Sequence, residues 1–81
     1  MHIELIQGEF SAKDALDILT QMIHVKIQYH ERAITKGASE EDSSWREAKI
    51  IRLQSDLYKL KHETLAGRKK VRIEARISLE E

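Results

Sequence analysis

The chain has 81 residues and no cysteine, and its 14 basic and 14 acidic side chains leave a net charge of zero. One domain is expected at this length, and neither a disulfide framework nor a thiolate metal site can stabilise it. Charge neutrality disfavours a dedicated nucleic-acid-binding domain, because phosphate neutralisation supplies much of the affinity of such domains. With no membrane-spanning apolar run and no signal peptide, residues 1–81 are expected to form one complete, soluble, cytoplasmic domain.

The chain begins with a short strand, expected over about residues 1–7. Successive side chains of a strand point to opposite faces, so Ile3 and Leu5 are expected on one face and Ile6 on the other. Gly8 interrupts this alternation, which indicates a bulge or bend before the first helix.

A first helix is expected over about residues 12–36. Ser11 can cap its start in a variant capping box with Asp14, and Gly37 can end it. The apolar residues of this helix form two adjacent stripes. Together the stripes are wider than the contact with one other helix requires, which indicates that the helix is buried on two sides. The stripes are Ala12, Leu16, Leu19, Ile23, Ile27 and Ile34, and Ala15, Ile18, Met22, Val25 and Tyr29.

A second helix is expected over about residues 42–66, capped by Ser39 or Asp42 and ended by Gly67. Its packing seam has 3-4-3 spacing and consists of Ile50, Leu53, Leu57 and Leu60. Opposite charges four residues apart support its exposed face. These pairs are Asp42/Arg46, Arg52/Asp56 and Lys59/Glu63.

The most regular pattern in the chain predicts a closing strand over about residues 69–79. Apolar and polar residues alternate there without a break, which is typical of a strand with one buried and one solvated face. The apolar face consists of Val71, Ile73, Ala75, Ile77 and Leu79. The polar face consists of Arg72, Glu74, Arg76 and Ser78.

These elements predict an α+β fold in the order strand, helix, helix, strand. The short connection between the helices favours an antiparallel hairpin packed on a small antiparallel sheet. A two-stranded sheet is marginal alone, and the unpaired edge of the closing strand favours association. We therefore expect a homodimer or a dimer-based oligomer, with a four-stranded sheet and a four-helix bundle. The alternative is a monomer that leaves some apolar surface exposed.

Several residues are candidates for binding a partner. Large amphipathic rings often anchor interfaces, which singles out Trp45, Tyr29 and Tyr58. For Trp45 a structural role is favoured instead, closing the end of the hairpin against Ile34. The C-terminal segment is locally basic. The favoured interpretation is that its cations form an ordinary solvated face, and the alternative is that they bind nucleic acid or an acidic partner. Its residues are Arg68, Lys69, Lys70, Arg72 and Arg76.

No residue pattern predicts catalysis, a cofactor or a metal. The glycines are isolated, so no phosphate-binding loop is indicated. In an antiparallel hairpin His30 and His62 lie at opposite ends, and surface or boundary positions are expected for all the histidines.

The sequence thus favours a small cytoplasmic, homodimeric interaction or accessory protein without catalysis. We expect it to bind other proteins and not to associate with a membrane. A nucleic-acid-associated regulator that uses the basic C-terminal segment is one alternative. An enzyme with a pocket between subunits is another.

Overall fold

A computed structural model describes all 81 residues and shows an α+β fold. Strand β1 (His2–Ser11) leads into helix α1 (Ala12–Thr35), and a short turn connects α1 to helix α2 (Glu40–Lys59). A π-helical turn, Leu60–Thr64, continues α2 and is followed by strand β2 (Lys70–Ser78). The two strands pair antiparallel in a two-stranded sheet, which confirms the predicted order and sheet.

Both helices begin at a serine cap: Ser11 is the predicted cap of α1, and Ser39 is one of the two candidates for α2. The Oγ atom of Ser11 accepts a hydrogen bond from the backbone N–H of Asp14, at 3.1 Å. Ser39 does the same for the backbone N–H of Asp42, also at 3.1 Å. Each cap satisfies one of the backbone donors that the first turn of a helix leaves unpaired. Neither helix is both long and apolar enough to cross a membrane.

Strand β1 is longer than expected and continues through Gly8 to Ser11. Gly8 is paired with Ile73 in the ladder, and its φ of +138° is one that residues with a Cβ rarely adopt. The glycine therefore keeps the strand continuous at a point where the sequence predicted an interruption.

The irregularity in β1 lies at Leu5, which is skipped in the pairing between Glu4 and Ile6. A bulge inserts one extra residue and so reverses the alternation of faces beyond it. As a result Ile3 pairs with Ile77 and Ile6 pairs with Ala75, both on the apolar face of β2. The predicted assignment of Ile3 with Leu5, opposite Ile6, is therefore wrong.

The core lies where the sheet meets the two helices. Ala15 from α1, Leu65 from the segment after the π-helical turn, and Ile73 from β2 form its buried centre. The partly buried side chains around them are Ile6, Phe10, Leu16, Leu19, Leu60 and Val71. The sheet is thereby joined to the helices through the half of each strand nearest to α1.

The rest of the sheet projects beyond this core. Along the apolar face of β2, Ile73 is 8% exposed, whereas Ile77 and Leu79 are 37% and 55% exposed. The whole chain is flat, with extents of 44 × 34 × 13 Å. The predicted buried face of β2 is thus correct at its centre, and its far end has no cover within one chain.

The second apolar stripe of α1 is also incompletely covered. Ile27, on the first stripe, is buried, whereas Val25 and Tyr29 are more than half exposed. Ile18 and Met22 are half-buried. Within one chain, α1 is covered by α2 and the sheet and leaves the C-terminal half of its second stripe in solvent.

Replacing Ile73 with lysine should destabilise the fold. The substitution puts an ammonium group in the buried centre of the core, without a partner, and should lower the free energy of unfolding by about 3 kcal/mol or more. Urea denaturation monitored by circular dichroism measures this loss. Ile51→Lys is the matched control, because Ile51 is 66% exposed, and it should cost less than about 0.5 kcal/mol. Equal effects of the two substitutions would contradict the assigned core.

Candidate interaction site

A group of aromatic and charged side chains joins the two helices near the turn of the hairpin. We call it the aromatic–arginine cluster; it consists of Tyr29 and His30 from α1 and of Asp42, Trp45 and Arg46 from α2. Contacts between residues sixteen positions apart, such as His30 and Arg46, require the antiparallel hairpin. The cluster therefore depends on the tertiary structure rather than on one helix alone.

Arg46 holds the cluster together through two side-chain hydrogen bonds. Its Nε atom donates to Oδ2 of Asp42 at 2.8 Å, one helical turn earlier, and its Nη1 atom lies 3.0 Å from Nδ1 of His30. A guanidinium group can only donate, so Nδ1 must be the acceptor and the proton of His30 must sit on Nε2. The hydrogen bond to Asp42 raises the pKa of Arg46 further above its ordinary value.

The aromatic rings surround this arginine. The ring centroid of His30 lies 5.5 Å from that of Tyr29 and 5.8 Å from that of Trp45, both in edge-on arrangements. The guanidinium carbon of Arg46 lies 5.5 Å from the ring centroid of Tyr29 and 5.8 Å from that of Trp45. Lys49 adds a second cation, with Nζ 5.4 Å from the Trp45 centroid. These distances are within the range of cation–π attraction.

The cluster combines a buried histidine with two exposed aromatic rings. His30 is 5% exposed and lies beneath, whereas Tyr29 is 61% and Trp45 53% exposed. Trp, Tyr and Arg are the residues that most often dominate binding energy at protein interfaces. Because neighbouring cations already position the rings, little side-chain freedom is lost when a partner covers them. The arrangement is suited to binding a protein surface.

Trp45 was expected to close the hairpin end against Ile34, with partner binding as the alternative. In the structure its ring packs edge-on against His30 and is 53% exposed. His30 itself was expected at a surface or boundary position, and this is wrong, because it is buried. The signal that could have located it is its position between Ile27 and Ile34, in step with the first apolar stripe.

The basic C-terminal segment lies at the opposite end of the hairpin, beside the core. Arg72 pairs with Glu74 at 2.9 Å, and Arg76 lies 3.4 Å from Glu4 on β1. No ion pair involves the remaining three cations, which are Arg68, Lys69 and Lys70. The structure therefore separates Trp45 from the basic residues that the sequence grouped with it as candidates.

A cleft of about 420 Å³ lies beside this segment. Its apolar lining consists of Leu19, Leu60, Leu65, Val71 and Ile73. The charged residues of its lining are Arg68, Lys70 and Arg72, and all three are basic. The lining of the cleft thus combines aliphatic side chains with charges of positive sign only.

The histidines do not converge. No group of three or more His, Cys, Asp or Glu side chains is arranged to hold a metal ion. His62 lies at the end far from His30, where its ring is 4.4 Å from that of Tyr58, centroid to centroid. Comparisons with protein-family models, curated proteins and solved structures find no match to this chain.

Replacing His30 with alanine should destabilise the hairpin by about 2 kcal/mol. The substitution leaves a cavity under two aromatic rings and removes the acceptor of one hydrogen bond of Arg46. The fluorescence of Trp45, the only tryptophan, follows unfolding at this site in urea. His24→Ala is the matched control on the same helix, because His24 is exposed, and it should cost less than about 0.5 kcal/mol. A loss no larger for His30 than for His24 would show that the buried histidine contributes nothing specific.

Proposed function

We propose that this chain is a small self-associating interaction protein without catalysis of its own, acting in the cytoplasm as a homodimer or a dimer-based oligomer. The observation that carries the proposal is the imbalance between exposed and buried apolar side chains. Four apolar residues are buried, whereas nine large ones are exposed. The exposed ones are Met1, Leu5, Val25, Tyr29, Trp45, Ile51, Tyr58, Ile77 and Leu79.

This imbalance matters because of the size of the chain. A domain near this length buries a smaller share of its surface on folding than a larger domain does, so its net stability is only a few kcal/mol. Burying apolar surface contributes about 25 cal/mol per Å², and a second copy can cover part of this surface, such as Ile77 and Leu79 at the far end of the sheet. Twofold dimers are the commonest closed assemblies. Self-association therefore offers the simplest route to a stable particle.

The sheet supports the same proposal. Two strands alone are marginal in water, and here each strand has only one hydrogen-bonded neighbour. β2 contains no proline that would protect its unpaired edge. A second copy can pair with such an edge and extend the sheet.

The aromatic–arginine cluster supplies the interaction surface in this proposal. It lies at the hairpin turn, far from the sheet, so pairing of strands in an assembly would leave Tyr29 and Trp45 accessible. The adjacent first turn of α2 is acidic, with Glu40, Glu41 and Asp42. A protein partner that accepts aromatic anchors and carries basic residues at its rim would fit both features.

The alternative of a nucleic-acid-associated regulator has weaker support. Arg72 and Arg76 already pair with carboxylates, and the net charge is zero. Within the basic C-terminal segment only Arg68, Lys69 and Lys70 remain to contact phosphates, which is few for a site that depends on counterion release.

Sedimentation equilibrium tests the self-association. At micromolar concentrations the particle should have twice the 9.4 kDa mass of one chain, or a larger even multiple. The apparent mass should fall towards that of one chain on dilution, because association is a mass-action equilibrium. A constant single-chain mass over the whole concentration range would overturn the proposal.

Fluorescence anisotropy with labelled single-stranded and duplex oligonucleotides tests the alternative. At low salt we expect no rise in anisotropy at protein concentrations at which the dimer is formed. Binding that weakens steeply with added salt would instead support the nucleic-acid function, since that dependence reports phosphate contacts. Loss of such binding in Lys69→Ala/Lys70→Ala would locate it in the basic segment.

A further inference from the structure

The cleft of about 420 Å³ runs along the unpaired edge of β2. Its lining includes the four consecutive residues 70–73 of β2 and no residue of β1. Successive side chains of a strand point to opposite faces, so four in a row can line one cleft only at the edge of the strand. β1 occupies the other edge. The cleft therefore borders the edge of β2 that is free to accept a further strand.

The backbone hydrogen bonds identify which groups this edge presents. The N–H of Leu79 donates to the carbonyl oxygen of Met1 at 2.8 Å, and its own carbonyl oxygen accepts from the amino group of Met1 at 3.2 Å. Both polar groups of Leu79 thus point towards β1. Because this direction alternates along a strand, the backbone groups of Arg72, Glu74 and Arg76 point to the free edge.

The side chains around the cleft select the kind of strand that would fit. The apolar part of the lining is aliphatic, and its three charged residues, Arg68, Lys70 and Arg72, are all basic. An extended segment with apolar residues on one face and acidic residues nearby complements both properties. The end of this chain has that character, because Ile77 and Leu79 are exposed and Glu80 and Glu81 follow.

We propose that β2 pairs antiparallel with β2 of a second copy about a twofold axis at Ala75, giving a four-stranded sheet. This inference rests on the proposed self-association and specifies its interface. In this register Ile73 faces Ile77 of the second copy, and Val71 faces its Leu79. The far end of each apolar face, uncovered within one chain, is thereby placed beside the core of the other chain.

The charges favour this register. Glu74 faces Arg76 of the second copy, and Lys70 faces its Glu80, and symmetry makes each contact twice. Opposite charges directly across a strand pair are stabilising, and like charges are destabilising. The polar face of β2 is therefore complementary to itself at this position of the axis.

Each neighbouring register opposes like charges. Moving the axis to Glu74 opposes that residue to its own copy and Arg72 to Arg76. Moving it to Ile73 pairs Arg72 with Glu74 but opposes Lys70 to Arg76. An axis at Arg76 pairs Arg72 with Glu80 but places two copies of Arg76 opposite each other. Moving the axis by one residue shifts the pairing of the strands by two residues. A shift of the pairing by an odd number of residues would place the apolar face of one strand on the same side of the sheet as the polar face of the other.

Cysteine cross-linking tests the axis directly, since the chain has no native cysteine. Ala75 would form a non-hydrogen-bonded pair with its own copy, with Cα atoms about 4.5 Å apart, which a disulfide can span. Mild oxidation of Ala75→Cys should therefore convert most of the protein into a covalent dimer. Val25→Cys, in an exposed position on α1, should remain largely uncross-linked.

The two proposals fail in different ways in this experiment. Efficient cross-linking of Val25→Cys but not of Ala75→Cys, in a protein that sediments as a dimer, would overturn the strand interface and leave self-association intact. A wild-type protein that sediments as a single chain would overturn both.

A charge swap provides the second test and requires no oxidation. Arg76→Glu should raise the dissociation constant of the dimer by more than about tenfold, because the new glutamate of each chain then faces Glu74 of the other. Adding Glu74→Arg should restore the constant to within about threefold of the wild type, since the pairs are then re-formed in reverse. Arg76 and Glu74 are exposed, so folding, followed by circular dichroism, should change little. An unchanged constant for Arg76→Glu, or no recovery in the double variant, would overturn the register.

Discussion

The burial of Ile73 against Ala15 and Leu65 is the contact on which the rest of this structure depends. Ala15 is fully buried, and its small side chain allows β2 to approach the first turns of α1. A hydrogen bond from the backbone N–H of Ala12 to the carbonyl oxygen of Lys69, at 3.0 Å, fixes the same junction. Because the core is concentrated at this one place, both ends of the molecule project from it. The hairpin turn carries the aromatic–arginine cluster, and the far end of the sheet carries uncovered apolar residues.

Much of this fold can be predicted from local sequence patterns. The alternation along β2, the serine caps and the apolar stripes each depend on neighbours within a few residues, so the sequence alone predicts them. The faces of β1 could not be predicted in this way. Ile3, Leu5 and Ile6 can be divided between two faces in more than one manner, and the choice is made by the β2 residues opposite them. Only the pairing with Ile77 and Ala75 shows that Leu5 is the bulged residue.

The candidate site divides along the same line. Spacing on one helix predicts the ion pair of Asp42 and Arg46, which is present at 2.8 Å. The pairs Arg52/Asp56 and Lys59/Glu63, predicted from the same spacing, do not form ion pairs in the structure. The burial of His30 depends on a donor from the other helix, and no local spacing reveals that donor. A histidine in step with apolar neighbours can be buried only if its polar nitrogen finds a partner. Arg46 is that partner, and the same arginine lies beside the two exposed rings, so the packing of the hairpin and the proposed binding surface share one side chain.

The charged side chains of β2 affect the pairing with a second strand more than they affect the stability of one chain. Within a chain, the ion pairs of Arg72 with Glu74 and of Arg76 with Glu4 are exposed, and such pairs contribute little. Along an unpaired edge, however, charged side chains restrict which strands can join and in which register. A row of like charges on β2 would repel any second copy, and an uncharged row would accept many partners in many registers. The alternation of Arg72, Glu74 and Arg76 does neither, because it opposes unlike charges only with the axis at Ile73 or Ala75, and Lys70 facing Arg76 disfavours the axis at Ile73. The chain that is neutral as a whole is thus also self-complementary at the edge where its sheet is incomplete.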